Sequence, residues 1–238
     1  MRGVNDPRGK LFFEYIRIIK DKKPLFFLAE SVSGILHSKH KESFDLILQS
    51  FKELGYNVKY KLVNDKDYNV PQDRKRVFIV GFLQNIDFHF PQEVTKHVTI
   101  EETIFDLKDN AKIYNRNQLS NFNHEYYDSS FSTIFMSRNR VRSWHEQSFT
   151  IQAGGRHAPI HPKAPKMELV EQNKRIFKIG RENLYRRLSV RECARIQTFP
   201  DDFIFYYNNV LDGYKMVGNA VPVNLAEKIA KQIMNYLF

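Results

Sequence analysis

The sequence holds one cysteine, Cys193, in 238 residues. A lone thiol rules out a disulfide framework and a Cys-rich zinc site, and it fits a reducing cytosol. No apolar run approaches the ~18–20 residues of a membrane span. The start, Met1-Arg-Gly-Val-Asn-Asp-Pro7, lacks the apolar core of a secretory signal. Internal repeats and low-complexity tracts are also missing. What is present is a chain 42% hydrophobic and 14% aromatic. That is enough for a real core, so a disordered basic tail is excluded. The length suits one medium domain or two small ones.

The formal charge is +10, from 37 Lys+Arg and 27 Asp+Glu. It is concentrated: Arg138 to Arg191 contains 13 basic and 4 acidic residues, and the rest of the chain has 24 against 23. A local excess of this kind is the footprint of a polyanion partner, usually nucleic acid. A solvated basic face would give the same count, so charge alone does not decide.

The first 85 or so residues alternate between helical and strand patterns. Leu11–Lys20 carries Phe12, Phe13, Ile16 and Ile19 at helical spacing, closed by Pro24. Leu25–Ala29 is a short continuous apolar run, of the kind buried on both faces of a parallel sheet. Ser43–Leu54 puts Phe44, Ile47, Leu48, Phe51 and Leu54 on one stripe, with Gly55 as the stop. Val58–Val63 alternates, and Val77–Phe82 is a second apolar run. Strands alternating with helices predict an α/β layer architecture. From about Asp87 to Lys178 the chain turns polar and aromatic with few clear periods. Order resumes at Ser189-Val-Arg-Glu192, a capping box opening a helix through Ile196. A last amphipathic helix from about Pro222 uses Leu225, Ile229, Ile233 and Leu237. The expected domains are therefore 1–87 and 186–238 of one α/β domain, interrupted by an insert over 88–185.

Three stretches carry candidate chemistry. Glu30, in Ala29-Glu-Ser-Val-Ser-Gly34, stands at the end of an apolar strand, where open α/β sheets bind ligands and a carboxyl can act as a proton donor. The same position suits a glutamate that merely caps a turn. Arg74 and Arg76, in Gln72-Asp-Arg-Lys-Arg76, would share one face of a strand and suit phosphate or a planar polar edge. A solvated strand edge would look no different. Gly218-Asn-Ala-Val-Pro222 reads as a tight turn opening the final helix, through which backbone and the Asn219 amide could approach a ligand. A plain helix-start turn also fits.

Taken together these stretches resemble the later motifs of DNA (cytosine-5) methyltransferases. The resemblance rests on Glu-Ser-Val-Ser-Gly, Gln-Asp-Arg-Lys-Arg-Val, Arg187-Leu-Ser-Val-Arg-Glu-Cys-Ala-Arg-Ile-Gln-Thr-Phe-Pro-Asp-Asp-Phe203 and Gly-Asn-Ala-Val-Pro, in the family's order. The insert falls where that family keeps its target-recognition domain. Ser130-Phe-Ser-Thr-Ile-Phe-Met-Ser-Arg-Asn-Arg140 and Phe149-Thr-Ile-Gln-Ala-Gly-Gly-Arg156 look most like HaeIII-type enzymes that modify GGCC. The resemblance implies a partial Rossmann-like, S-adenosylmethionine-dependent methyltransferase domain of a bacterial restriction–modification system, soluble in the cytoplasm and acting on double-stranded DNA. By the same resemblance, Glu30 would bond the flipped cytosine at N3 and its amino group, and Arg76 would hold O2 with Arg74 in support. Asn219 and Ala220 would line the cofactor pocket. The family usually has Glu-Asn-Val where this chain has Ser31, which predicts weaker bonding around Glu30. Arg138, Arg140 and Arg156 are the expected base readers, since arginine is the common bidentate partner of guanine. Lys163, Lys166, Arg142 and Arg175 are expected at phosphates.

The 238 residues contain neither a Gly-rich cofactor turn after a first strand nor a Pro-Cys dipeptide. The family's reaction needs that cysteine as nucleophile. Cys193, on a predicted helix, reads instead as a buried structural thiol. Asn5-Asp-Pro-Arg-Gly9 resembles the stretch that follows the family's catalytic loop. The expectation is a C-terminal portion, inactive alone and sticky at an uncovered apolar edge, that works once a partner N-terminal half supplies the Pro-Cys loop. The alternatives are a non-catalytic DNA-binding module and an inert remnant.

Overall fold

A computed structural model of the chain describes residues 10–117 and 122–238. The Asn5–Gly9 stretch discussed above lies outside the described residues. The helices, in chain order, are α1 (Lys10–Lys22), α2 (Lys41–Glu53), α3 (Ile100–Ile104), α4 (Thr133–Met136), α5 (Val190–Ile196), α6 (Val210–Asn219) and α7 (Val223–Leu237). The strands are β1 (Phe26–Val32), β2 (Asn57–Asn64), β3 (Gln72–Asp73), β4 (Lys75–Phe82), β5 (Lys112–Ile113), β6 (Glu125–Tyr126), β7 (Ser148–Phe149), β8 (Glu168–Glu171) and β9 (Lys174–Ile176). They form two compact units. The first comprises Met1–Asn64, Lys75–Gln92 and Ile229–Phe238, and the second Asp65–Arg74 and Glu93–Lys228.

The first unit is built on a three-stranded sheet in the order β1-β4-β2. One face is covered by α1 and α2, whose Ile19, Phe44, Ile47 and Phe51 pack with Phe27, Val77 and Ile79. On the other face Phe82 stacks among Phe88 and Tyr236. Gly55 follows α2 with φ +91°, the left-handed stop that only glycine adopts at no steric cost.

Both strand pairs are antiparallel, which corrects the parallel sheet expected from the sequence. An apolar run records burial and not strand direction, so β4 could enter between β1 and β2 in either sense. Burial on both faces holds for β4, whose Val77–Phe82 is buried throughout, but not for β1. Along β1, Phe26, Leu28, Glu30 and Val32 alternate outward while Phe27 points into the core. It is an edge strand with an open apolar face, and Leu25 and Val32 are 63% and 59% exposed.

The second unit has short strands and one main core, in which Ile100, Ile104, Ile151, Leu188, Cys193, Ile196, Tyr214 and Val217 meet. Regular ladders are too few to satisfy its loop carbonyls, and buried guanidiniums take their place. Arg187 donates to the carbonyls of Tyr127, Ser129 and Ser130. Arg191 donates to those of Phe122, Pro200 and Phe203. Helix α5 opens on the expected capping box: Ser189 Oγ accepts from the Glu192 N–H, and the Glu192 carboxylate accepts from the Ser189 N–H. The first turn of α7 is closed by the Gln197 carbonyl and the Thr198 hydroxyl, which accept from the N–H groups of Val223 and Asn224.

Candidate active site and nucleic-acid interface

In the first unit, Glu30 and Arg76 stand on neighbouring antiparallel strands. Glu30 pairs with Phe78 in the register, so Arg76, two residues before Phe78, is its diagonal neighbour on the same face. The Arg76 Nε lies 2.9 Å from Glu30 Oε1, and Arg76 Nη1 donates to the Lys75 carbonyl. Both side chains keep some solvent access, at 19% and 31%. A carboxylate and a guanidinium held side by side in this way present an acceptor and a fork of donors to the same incoming group. Between α1 and β1 runs an open cleft lined by Leu11, Phe12, Tyr15, Leu28 and Ala29, with Glu30 as its one charged member among the described residues.

Arg74 is placed differently from the sequence expectation. β4 begins only at Lys75, so Arg74 and Arg76 do not share a strand face. Arg74 belongs to the second unit and is 4% exposed. Its guanidinium donates to the carbonyls of Ile151, Gly218 and Ala220. Those bonds, with Asp65 Oδ2 3.9 Å from its Nε, occupy the guanidinium within the second unit, so the strand face expected to be shared with Arg76 is not formed. The motif spacing that suggested a strand pair carries no mark of the interruption between β3 and β4 at Arg74.

The Gly218–Pro222 stretch is also shifted. Gly218 and Asn219 are the last residues of α6, and α7 opens at Val223 after three intervening residues. Asn219 is exposed and its side chain forms no hydrogen bond among the described residues. Ala220 beside it is half-buried. A Cβ on Gly218 would overlap the backbone of Gln152 and Ala153, so this position requires glycine.

The three expected base readers have different surroundings. Arg138 and Arg156 are exposed, and Arg156 lies at the Tyr127 hydroxyl. Arg140 gives its Nε to the Phe135 carbonyl and its Nη2 to the Ile134 carbonyl, and lies over the Phe135 ring. Burial, then the nearby Arg138 charge, lowers its pKa. Most of the expected phosphate contacts are engaged within the chain. Lys163 pairs with Asp109, Arg142 with Glu146, and Arg175 donates to the Met167 carbonyl, while Lys166 is exposed.

Part of the charge that flagged this region is therefore architecture. Arg187 and Arg191 are buried, and Arg186 makes a bidentate pair with buried Glu192 at 2.7 and 2.8 Å. A charge count cannot separate these from solvent-facing cations. Cys193 is fully buried, and burial pushes its thiol pKa well up, so it is the inert helix cysteine expected.

Residues 1–235 match the family described as C-5 cytosine-specific DNA methylase. The chain belongs to that family. It is 57% identical over 240 residues to the type II methyltransferase M.MthTI of Methanothermobacter thermautotrophicus, covering 98% of this chain and 73% of that protein. It is 54% identical to the type II methyltransferase M.FnuDI of Fusobacterium nucleatum, covering 100% and 72%. Among solved structures, the Entamoeba histolytica methyltransferase EhMeth superposes with a TM-score of 0.68 at 16% identity, over 99% of this chain and 71% of that one. This likeness supports the fold alone. The α/β fold is that of a partial Rossmann-like methyltransferase domain, whose family depends on S-adenosylmethionine. Among the described residues no helix is long and apolar enough to cross a membrane.

Proposed function

We propose that the chain is the base-binding and recognition portion of a cytosine-5 DNA methyltransferase of a type II restriction–modification system, acting in the cytoplasm on GGCC. The observation that carries this reading is the Glu30–Arg76 pair, 2.9 Å apart on an open strand face within a chain of this family. A cytosine flipped from the duplex offers N3 and its amino group along one edge, with O2 beside them. Glu30 serves the first two atoms and Arg76 the third. In its protonated form Glu30 donates to N3, drawing electron density from C6 and favouring attack there by a thiolate.

That thiolate belongs to the Pro-Cys motif, which we place on an N-terminal portion, joined covalently or as a second subunit. S-adenosylmethionine supplies the methyl group, and Asn219 and Ala220 contribute one wall of its pocket. The insert over 88–185 acts as the target-recognition domain, with Arg138 and Arg156 reading guanines. Arg140 joins them only by releasing two carbonyls.

The test is methyl transfer from labelled S-adenosylmethionine to duplexes carrying GGCC or a scrambled site. It is run with this chain alone and with an N-terminal portion bearing the Pro-Cys loop. Activity confined to the mixture and to GGCC is the expected result. A mixture that stays silent although the added portion folds would overturn the catalytic reading and leave a bare DNA binder or a remnant.

A further inference from the structure

Gln72 and Arg74 form a buried hub of the second unit that the proposed reaction does not explain. Gln72 Oε1 accepts from the Ile151 N–H at 2.6 Å, and Arg74 Nη1 donates to the Ile151 carbonyl at 3.0 Å. Both backbone polar groups of one residue in the Phe149–Arg156 recognition stretch are thus fixed by this hub. β3 also pairs with β7, and the Thr150 hydroxyl donates to the Asp73 carbonyl. The same Arg74 reaches the other way. It donates to the Gly218 carbonyl at 2.9 Å and the Ala220 carbonyl at 3.4 Å. Gln72 Nε2 donates to Gln197, whose own Nε2 donates to the Val217 carbonyl. Gly218 meets the Gln152–Ala153 backbone without room for a methyl group.

We infer that Arg74 is a positioning residue that locks Val217–Ala220, the last turn and C-cap of α6, to the recognition stretch, so that the conformation of one sets that of the other. The inference rests on the proposed function for what each end does, cofactor contact at Asn219 and Ala220 and base reading at Arg156. Its physical basis does not. One guanidinium carries several donors in a rigid plane, and here they are divided between two segments far apart in sequence. A lysine ammonium would keep the charge but not that fork. With the two segments locked, a ligand seated against the turn is felt at the recognition stretch, and by linkage the reverse holds equally.

The experiment is peptide-resolved hydrogen exchange on the 238-residue chain and its R74K and G218A variants, with duplex binding measured in parallel. In R74K, amides of 150–153 and of 217–222 should exchange faster together, by about tenfold, the loss of a charged hydrogen bond. α5 in the same unit should keep its protection, which separates local release from unfolding. G218A leaves Arg74 in place and should still raise exchange at 151–154 by steric displacement. It should also lower the ratio of GGCC to scrambled-duplex affinity, whereas a merely structural defect would weaken both duplexes equally. If the turn responds without the recognition stretch, or the reverse, in both variants, the coupling is wrong. If exchange is coupled but the unaltered chain does not prefer GGCC, the coupling stands and the base-reading proposal falls.

Discussion

His161 and Glu192 face each other 3.6 Å apart, both sealed from solvent. His161 Nδ1 accepts from the Lys163 N–H, so the ring proton of the neutral form sits on Nε2, on the side of Glu192. Among the described residues that Nε2 has no hydrogen-bond partner. Burial lowers the His161 pKa to about 4; Glu192 and Asp109 oppose the shift, and the charges of Arg186 and Lys163 add to it.

A pH dependence follows from this pair. Between about pH 6.5 and 4 the unfolded chain binds a proton at His161 that the folded chain refuses, so stability falls as pH drops through that window. The difference amounts to about 3 kcal/mol at full effect. The His124 pKa is lowered as well, chiefly by burial, and acts in the same direction. Glu192 is held down by Arg186, so its contribution is present above the unfolded carboxylate pKa and is lost as pH falls through the folded one. Urea midpoints at pH 7, 5.5 and 4.5 should decline steadily in the natural sequence and less steeply in His161→Gln. Parallel curves for the two proteins would remove His161 as the cause.

The buried arginines make a second, sharper prediction. Arg191→Met removes the guanidinium that donates to the carbonyls of Phe122, Pro200 and Phe203, of which Pro200 keeps the Phe203 N–H. The loss should be about 3 kcal/mol, because several hydrogen bonds from one charged, buried donor are lost together. Arg195→Met breaks pairs with Asp106 and Asp201, whose side chains are 64% and 46% exposed, and should cost about 1 kcal/mol or less. Denaturant unfolding of the two variants side by side decides it. Equal losses would mean that the loops are held by something other than guanidinium bonds.

Much of this was legible in the sequence, for identifiable reasons. The amphipathic stripes of α1, α2 and α7 and the Ser189–Glu192 box are local patterns, and each formed close to its expected bounds. Glu30 and Arg76 came from motifs, but their shared face comes from the pairing of β1 with β4. Strand direction was not legible, because it depends on long-range pairing. Nor was the fate of Arg74, whose carbonyl partners lie 77 to 146 residues away. The +9 excess between Arg138 and Arg191 pointed to DNA, yet Arg187 and Arg191 there serve the fold. Residue type gives charge, and only packing tells which charges face water.

The proposed base site separates stability from activity. Glu30→Gln and Arg76→Ala alter a partly solvated pair, so each should shift unfolding by about 1 kcal/mol or less. Methyl transfer in the assembled enzyme should instead fall by about 100-fold or more, the usual scale for a lost general acid or a lost transition-state contact. Duplex binding should be nearly unchanged, since neither residue reads sequence. An active Glu30→Gln enzyme would require a different group at cytosine N3.

The recognition surface is tested by separating guanine readers from phosphate contacts. Arg138 and Arg156 are exposed, and each should cost about 1–3 kcal/mol of discrimination when replaced by alanine, with non-specific binding little altered. Lys166 is exposed too, but as a point charge near the backbone it should weaken all duplexes alike and reduce the salt slope by about one. Arg140→Ala should behave differently from both. Its guanidinium braces the carbonyls of Ile134 and Phe135, so selectivity and thermal stability should fall together. Anisotropy titrations on GGCC and scrambled duplexes at several salt concentrations distinguish the three. If Arg138→Ala and Arg156→Ala weaken both duplexes equally, those arginines touch phosphate only, and base reading must be sought elsewhere on the insert.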